Sequence, residues 1–106
     1  MKSQENILDE IRNITRDILP GKSHVFLYGS RARGTATKES DWDILIVLDK
    51  SRIEQSDYDE FSYPITALGW KMGETIVPVL YTKNEWEKIH FTTFYKNVEK
   101  DKILIS

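Results

Sequence analysis

The sequence predicts an α/β (α+β) fold in which a small mixed sheet carries helices packed mainly on one face. Helical periodicity alternates with short β-branched and aromatic runs along the 106-residue chain. The run Ile44–Leu48 has no polar residue, which indicates a central strand that is covered on both faces. The length is near the commonest domain size, so we expect one domain over residues 1–106.

The first predicted element is an amphipathic helix. Ser3 is a candidate amino-terminal cap, and Pro20 with Gly21 ends the helical pattern. The apolar residues at helical spacing are Ile7, Leu8, Ile11, Ile14, Ile18 and Leu19.

Three strands are predicted at Val25–Tyr28, Asp43–Leu48 and Ile76–Tyr81. Each run is rich in the β-branched and aromatic residues that suit a pleated sheet. The third run contains Pro78, which cannot donate a hydrogen bond to a neighbouring strand. We therefore expect the third strand at the edge of the sheet or at a bulge.

A helix is predicted between the second and third strands. Ser56 and Asp59 form a candidate capping box, and Gly73 ends the helix. Pro64 removes one helical hydrogen bond, so the helix is either kinked or begins only near Ser62. The residues expected to face inward are Phe61, Ile65, Leu68 and Met72.

The last third of the chain predicts two more helices and a short strand. Thr82 and Glu85 have capping-box spacing at the start of a helix that turns Trp86 inward. A final helix is expected over roughly Thr93–Lys100, followed by a short strand at Ile103–Ile105.

Composition excludes several classes of protein. Fifteen Lys and Arg against seventeen Asp and Glu give a formal charge of −2, which argues against a protein that coats nucleic acid. The chain has no cysteine, which excludes disulfides and thiolate metal sites and fits a cytoplasmic protein. Its first residues do not resemble a signal peptide, and no apolar run is long enough to span a bilayer, so no membrane partner is expected.

The most informative pattern is Gly29-Ser30 followed, after ten residues, by Asp41-Trp42-Asp43. At ordinary residue frequencies it should arise by chance in about one chain in a thousand of this length. The Gly-Ser pair follows a strand, where a turn of small residues can approach a phosphate chain. The carboxylates of Asp41 and Asp43 lie two residues apart in an extended segment and therefore share a face. Two like charges so close are costly unless a cation holds them, so the pattern predicts a site for a divalent metal ion.

Each part of this pattern also has a simpler interpretation. Gly29 could merely permit a strand-to-helix turn, and the two Asp residues could be solvated groups at a sheet edge. Arg31 and Arg33 could both be solvated, and at a spacing of two they cannot face one ligand from a regular helix. We favour Arg33 as the residue that reaches the phosphates and leave Lys38 open.

Other conspicuous side chains are expected to be structural. His24 and His90 have no second His and no Cys at ligand spacing. Trp42 lies between the two Asp residues and must point to the opposite face of its strand, into the core. Trp70 and Trp86 are core candidates, or interface residues if they prove exposed.

The segment from Gly29-Ser30 through Asp41-Trp42-Asp43 resembles the signature of the DNA polymerase β nucleotidyltransferase superfamily. The short chain suggests its minimal, antitoxin-type members from bacteria and archaea. This resemblance implies the nucleotidyltransferase fold, with Gly29 and Ser30 holding the triphosphate of ATP and Asp41 and Asp43 binding Mg²⁺. It also implies a helical toxin as protein partner, since many such small proteins transfer AMP to a toxin encoded beside them.

The chain departs from the family pattern at the third carboxylate. Active members usually carry another acid on a later strand, yet Thr75–Tyr81 contains none. Glu74 lies just before that strand and is the predicted substitute, whereas Glu39 and Asp49 are less well placed. A domain with an incomplete set of carboxylates would bind nucleotide and metal but turn over slowly or not at all.

Two functions therefore remain open at this point. The first is a magnesium-dependent nucleotidyltransferase whose hydroxyl acceptor lies on a partner protein or on a second copy of the chain. The second is a catalytically weak or inactive module that binds nucleotide and partner. For either, we expect a contact surface in an exposed apolar patch near Trp70, Trp86 or Phe91.

Overall fold

The structure is a computed structural model that describes residues 4–106 of the chain. Helix α1 spans Gln4–Ile18 and buries Ile7 and Ile11, so the predicted amphipathic helix is confirmed. Ser3, its predicted cap, lies outside the described residues. In the part of the chain that the structure covers, no helix is long and apolar enough to cross a membrane.

Four strands form one mixed sheet: β1 (His24–Tyr28), β2 (Trp42–Leu48), β3 (Ile76–Thr82) and β4 (Ile103–Leu104). Their order in the sheet is β3-β2-β1-β4. Strand β1 is antiparallel to both β2 and β4, and β2 is parallel to β3. The three strands predicted from the sequence are confirmed, and β3, which contains Pro78, lies at an edge as expected.

The remaining helices follow the predicted order. They are α2 (Ser30–Arg33), α3 (Gln55–Asp57), a π-helical turn (Tyr58–Ser62), α4 (Tyr63–Met72), α5 (Lys83–Lys88) and α6 (Thr93–Asp101).

The larger hydrophobic core lies between the sheet and the two longest helices. Ile44 and Ile46 of β2 are fully buried there against Ile11 of α1 and Ile65 of α4. Leu45 points to the other face of the sheet, where it packs with residues of α5 and α6. The predicted mixed-sheet fold is confirmed, with its two longest helices on one face and short helices covering part of the other.

The helix with the internal proline begins late, which is one of the two predicted solutions. A π-helical turn ends at Ser62, and Pro64 lies in the first turn of α4, where its missing N–H matters least. Gly73 ends α4 in the left-handed conformation, as predicted.

The capping box predicted at Ser56 and Asp59 is wrong. The helix starts earlier, and the backbone N–H of Glu54 donates to the Asp57 carboxylate at 2.8 Å. Asp57 is only 1% exposed, and Lys50 neutralises it across a 2.7 Å ion pair. Glu54 and Asp57 thus form the capping box of this turn, two residues earlier than the spacing of Ser56 and Asp59 predicts.

The second predicted capping box is confirmed. Thr82 and Glu85 exchange hydrogen bonds between side chain and backbone at 3.0 and 3.1 Å, and α5 follows. Trp86 is 4% exposed, so its predicted core position is confirmed. Its burial also excludes Trp86 from any contact surface, which corrects one of the three places suggested for such a surface.

Candidate active site

The turn between β1 and α2 brings the Gly-Ser pair against the second strand. Gly29 has φ 77° and ψ −158°, a backbone conformation that is essentially restricted to glycine. A Cβ atom at this position would overlap the carboxylate of Asp43. Glycine is therefore required both by its backbone conformation and by close approach, and the turn lies directly beside Asp43.

Asp41 immediately precedes β2, and Asp43 is the second residue of that strand. Burial raises the pKa of Asp43, and the negative charge of Asp41 raises it further. The guanidinium of Arg33 acts in the opposite direction and lowers this pKa. Two carboxylates and one arginine thus share an electrostatic neighbourhood, as the sequence pattern predicts.

The donor set fits a hard divalent cation. Carboxylate oxygens are preferred ligands of Mg²⁺, and a cation would relieve the repulsion that raises the Asp43 pKa. Within residues 4–106, no group of three or more His, Cys, Asp or Glu side chains is arranged to hold a metal. Asp41 and Asp43 are the residues that would hold such a cation.

Arg33 lies at the front of this site. Its Nη1 donates to Asp101 Oδ2 at 2.7 Å, which joins α2 to the last residue of α6. The Arg33 side chain is 50% exposed, whereas that of Asp101 is 12% exposed. Arg33 is thus an accessible cation close to Asp43.

Arg31 points elsewhere, as its spacing from Arg33 requires. Its Nη2 donates to the carbonyl of Ser40 at 2.9 Å, and its guanidinium carbon lies 4.4 Å from the centre of the Trp42 ring. Lys38 accepts a longer hydrogen bond from Arg31 through its backbone carbonyl, at 3.4 Å, and is itself exposed.

Glu74 is occupied on the far side of β2. Its Oε1 accepts a hydrogen bond from Trp42 Nε1 at 2.7 Å and lies 3.7 Å from Arg31 Nη2. Trp42 belongs to the core that faces α1 and α4, whereas Asp43 points to the opposite face. The structure therefore places the carboxylate of Glu74 with Trp42 rather than beside the two Asp residues.

The other two acids considered from the sequence also lie apart from the pair. Glu39 is exposed in the loop before β2. Asp49 follows the opposite end of the strand, where its Oδ2 accepts from the backbone N–H of Lys22 at 3.4 Å.

The sheet register identifies two neighbours of Asp43 that sequence reasoning missed. Tyr28 of β1 is its Cα partner on one side and Val77 of β3 on the other. Burial, followed by the charge of Asp43, raises the pKa of Tyr28 to about 12, so this phenol stays protonated. The position of Tyr28 immediately before Gly29 was an available signal, whereas the position of Val77 depends on strand pairing.

Exposed aromatic residues lie on both sides of the molecule. Phe94 of α6 contacts Tyr28 edge-to-face at 5.9 Å between ring centroids, and Phe91 precedes α6 with 69% of its surface exposed. On the other side, Trp70 of α4 is 63% exposed and packs against Tyr63.

Two solved structures share this architecture. One is a crystal structure of a toxin–antitoxin with AMP-PNP, which aligns with 93% of this chain and 72% of its own at a TM-score of 0.67 and 16% identity. The other is a mutant MntA–HpeT toxin–antitoxin, which aligns with 93% of this chain and 71% of its own at a TM-score of 0.64 and 12% identity. At these identities the likeness establishes a common fold.

The sequence comparisons identify the family. A protein of Methanocaldococcus jannaschii that carries the name protein adenylyltransferase is 32% identical over 104 residues, covering 96% of this chain and 98% of the relative. The sequence model of the nucleotidyltransferase domain matches residues 8–105. The resemblance inferred from the Gly-Ser and Asp-x-Asp pattern is thus confirmed: the chain belongs to the nucleotidyltransferase domain family and is a transferase.

Proposed function

We propose that the protein is a magnesium-dependent nucleotidyltransferase that transfers AMP from ATP to a hydroxyl acceptor. The observation that carries this proposal is the direct packing of the Gly29 turn against the Asp43 carboxylate. We assign Gly29, Ser30 and Arg33 to the triphosphate, and Asp41 and Asp43 to the metal.

In this reaction the oxygen of the acceptor hydroxyl forms a bond to the α-phosphorus of ATP and releases its proton to water. The bond from that phosphorus to the bridging oxygen of the β-phosphate breaks, and pyrophosphate leaves. Bound Mg²⁺ supplies charge neutralisation on the phosphate oxygens. Ser30 and Arg33 would hold the leaving phosphates, and Asp41 and Asp43 would hold the cation.

We further propose that the acceptor hydroxyl belongs to a protein, either a helical toxin or a second copy of this chain, in the cytoplasm. The name of the Methanocaldococcus jannaschii relative and the toxin–antitoxin assemblies of the structural neighbours support a protein acceptor. The AMP-PNP complex of one neighbour supports ATP as donor. The exposed Phe91 and the neighbouring Phe94 provide an apolar surface close to the Tyr28 side of the site.

The decisive experiment is intact mass spectrometry of candidate partner proteins after incubation with this protein and Mg-ATP. The proposal requires a mass gain of one AMP on the acceptor. The gain should disappear in EDTA and with the Asp43→Asn variant. Absence of the gain from every co-purified partner and from the chain itself would refute catalysis of this kind.

A second function is favoured by one observation. The β3 residue beside Asp43 is Val77, and Glu74 is bound to Trp42, so neither supplies another carboxylate next to the pair. A module that binds nucleotide and partner without appreciable transfer fits this arrangement. Calorimetric binding of Mg-ATP together with no AMP transfer would identify that module.

A further inference from the structure

The side chain of Arg31 connects the two halves of the candidate site from behind. It follows Ser30 directly, and its Nη2 donates at 2.9 Å to the carbonyl of Ser40, which directly precedes Asp41. Only 12% of the Arg31 side chain is exposed. A single, largely buried side chain therefore spans from the Gly-Ser turn to the loop that precedes Asp41.

The loop that Arg31 contacts is itself closed. The backbone N–H of Thr37 donates to Ser40 Oγ at 2.9 Å, and the N–H of Ser40 returns to the Thr37 carbonyl at 3.1 Å. Because this turn is internally bonded, anchoring its Ser40 carbonyl restrains the turn as a unit. The restraint therefore extends to the backbone of Asp41, the next residue.

The guanidinium is held in turn by two partners on the same side of the sheet. Its carbon lies 4.4 Å from the centre of the Trp42 ring, a cation–π distance, and Glu74 Oε1 lies 3.7 Å from Nη2. Glu74 Oε1 also accepts from Trp42 Nε1 at 2.7 Å. Arg31, Trp42 and Glu74 thus form one closed cluster, which we call the rear cluster.

The rear cluster retains an energetic cost. Within the described chain, Arg31 Nε is a buried side-chain nitrogen without a hydrogen-bond partner. An unpaired buried N–H costs free energy, so the arginine must be accounted for by the contacts that its guanidinium makes. A flat guanidinium that stacks on Trp42 while it donates to a carbonyl does explain it, because lysine offers neither the plane nor the fork.

We propose that Arg31 is a positioning residue that sets Asp41 against Ser30 and contacts neither nucleotide nor metal. The inference rests on the proposed function only for the roles of the two groups that Arg31 positions: Asp41 as a metal ligand and Ser30 as part of a phosphate-binding turn. The two arginines of the turn thereby divide their tasks: Arg33 faces the ligand, and Arg31 fixes the distance between the groups that bind it.

The test compares Arg31→Lys with Arg12→Lys. Arg12 is a matched control because it also donates to a backbone carbonyl, that of Ile105 at 3.0 Å, but from α1. Arg31→Lys should melt cooperatively yet bind Mn²⁺-ATP about tenfold more weakly or worse, the loss typical of groups that orient metal ligands. Arg12→Lys should bind like the wild type.

A second readout requires no ligand. Amide hydrogen exchange of the segment 38–41 should be faster in Arg31→Lys than in the wild type, with exchange in β2 unchanged. If the wild type fails to bind Mn²⁺-ATP, the proposed function fails, and the exchange measurement still decides the role of Arg31. Unchanged exchange at residues 38–41, or unchanged affinity in a wild type that binds, overturns the inference.

If Arg31→Lys does not melt cooperatively, hydrogen exchange in Arg31→Gln is compared with that in the wild type instead. Its amide keeps an N–H donor for the Ser40 carbonyl but loses the charge and the guanidinium plane. Faster exchange at residues 38–41 than in the wild type supports positioning by Arg31, and wild-type exchange refutes it.

Discussion

At the scale of single residues, the site concentrates unfavourable features in one place. Asp43 is partly removed from water and lies close to the charge of Asp41, and both effects raise its pKa. Gly29 adopts a conformation that few other residues tolerate, in contact with that same carboxylate. These costs are expected where a group is arranged for a ligand rather than for the fold.

Asp43→Asn should increase stability while it removes function. Because the folded-state pKa of Asp43 is raised, its contribution to stability is complete at low pH and is lost as the pH rises through that pKa. The Asn variant lacks this loss, so in EDTA it should melt above the wild type at pH 7 and close to it in acid. Calorimetry should show at least about tenfold weaker Mg-ATP binding. A less stable Asn variant at pH 7 would contradict this account.

Alanine at two glycines compares a left-handed position in open space with the Gly29 position beside Asp43. Gly34 has φ 78° and open space where a Cβ would lie, so Gly34→Ala should cost about 1–2 kcal/mol. Gly29→Ala should cost more, because its conformation excludes side chains and its Cβ would meet the Asp43 carboxylate. Urea unfolding of both variants measures the difference, and equal costs would show that the close approach is unimportant.

Glu74→Gln tests whether Glu74 acts as an acid or base. A catalytic carboxylate requires the substitution to lower the transfer rate by at least about tenfold with ATP affinity unchanged. The glutamine oxygen can still accept a hydrogen bond from Trp42 Nε1. The contacts of Glu74 therefore predict a decrease in transfer rate of less than about tenfold. Single-turnover transfer rates at saturating ATP distinguish the two roles.

At the scale of secondary-structure elements, the sequence predicted most of the fold because its signals were local. Apolar spacing defined α1, Pro64 and Gly73 bounded α4, and the pair Thr82 and Glu85 began α5. What it missed depended on partners distant in the chain. The pairing of β2 with β3, for example, decides which residue lies beside Asp43.

The candidate site shows the same division. The proximity of Gly29 to Asp43 followed from a strand, a turn and a second strand that are close in sequence. The placement of Glu74 could not be predicted in this way. It depends on the face of β2 to which Trp42 points and on the parallel pairing of β2 with β3, the strand that follows Glu74.

The β2–β3 register allows a third carboxylate to be added. Val77 is the β3 partner of Asp43 and is 37% exposed, so Val77→Asp would place another oxygen ligand beside the pair. We expect about tenfold tighter Mg²⁺ binding, since carboxylate count tunes the affinity of such sites. Val77→Asn is the neutral control of the same shape, and equal Mg²⁺ affinities of the two variants by calorimetry would count against the site.

At the scale of the whole molecule, the sheet separates two surfaces, and only one of them lies on the side of the candidate site. Helices α1 and α4 cover one face, and α5 and α6 cover the other, toward which Asp43 points. The exposed aromatic residues divide in the same way, with Trp70 on α4 and Phe91 just before α6. The proposed protein acceptor would therefore reach the site from the side of α6.

Phe91→Ser should therefore impair transfer to a protein acceptor, and Trp70→Ser should not. Removing a central aromatic contact commonly weakens an interface by about 1.4 kcal/mol, which is about tenfold in the KM for the partner. Mg-ATP affinity should be unchanged in both variants. Steady-state transfer to the partner measures the effect, and a loss confined to Trp70→Ser would place the interface on the opposite face.

The ion pair between Arg33 and Asp101 has a consequence for the coupling between nucleotide binding and partner binding. If the triphosphate engages Arg33, Asp101 loses its partner at the junction between α6 and β4, the two-residue strand that pairs with β1. Linkage is reciprocal, so a protein that binds the end of α6 and engages Asp101 would free Arg33 and raise the affinity for nucleotide. Nucleotide binding and partner binding would then be coupled through one ion pair, in which Arg33 Nη1 lies 2.7 Å from Asp101 Oδ2.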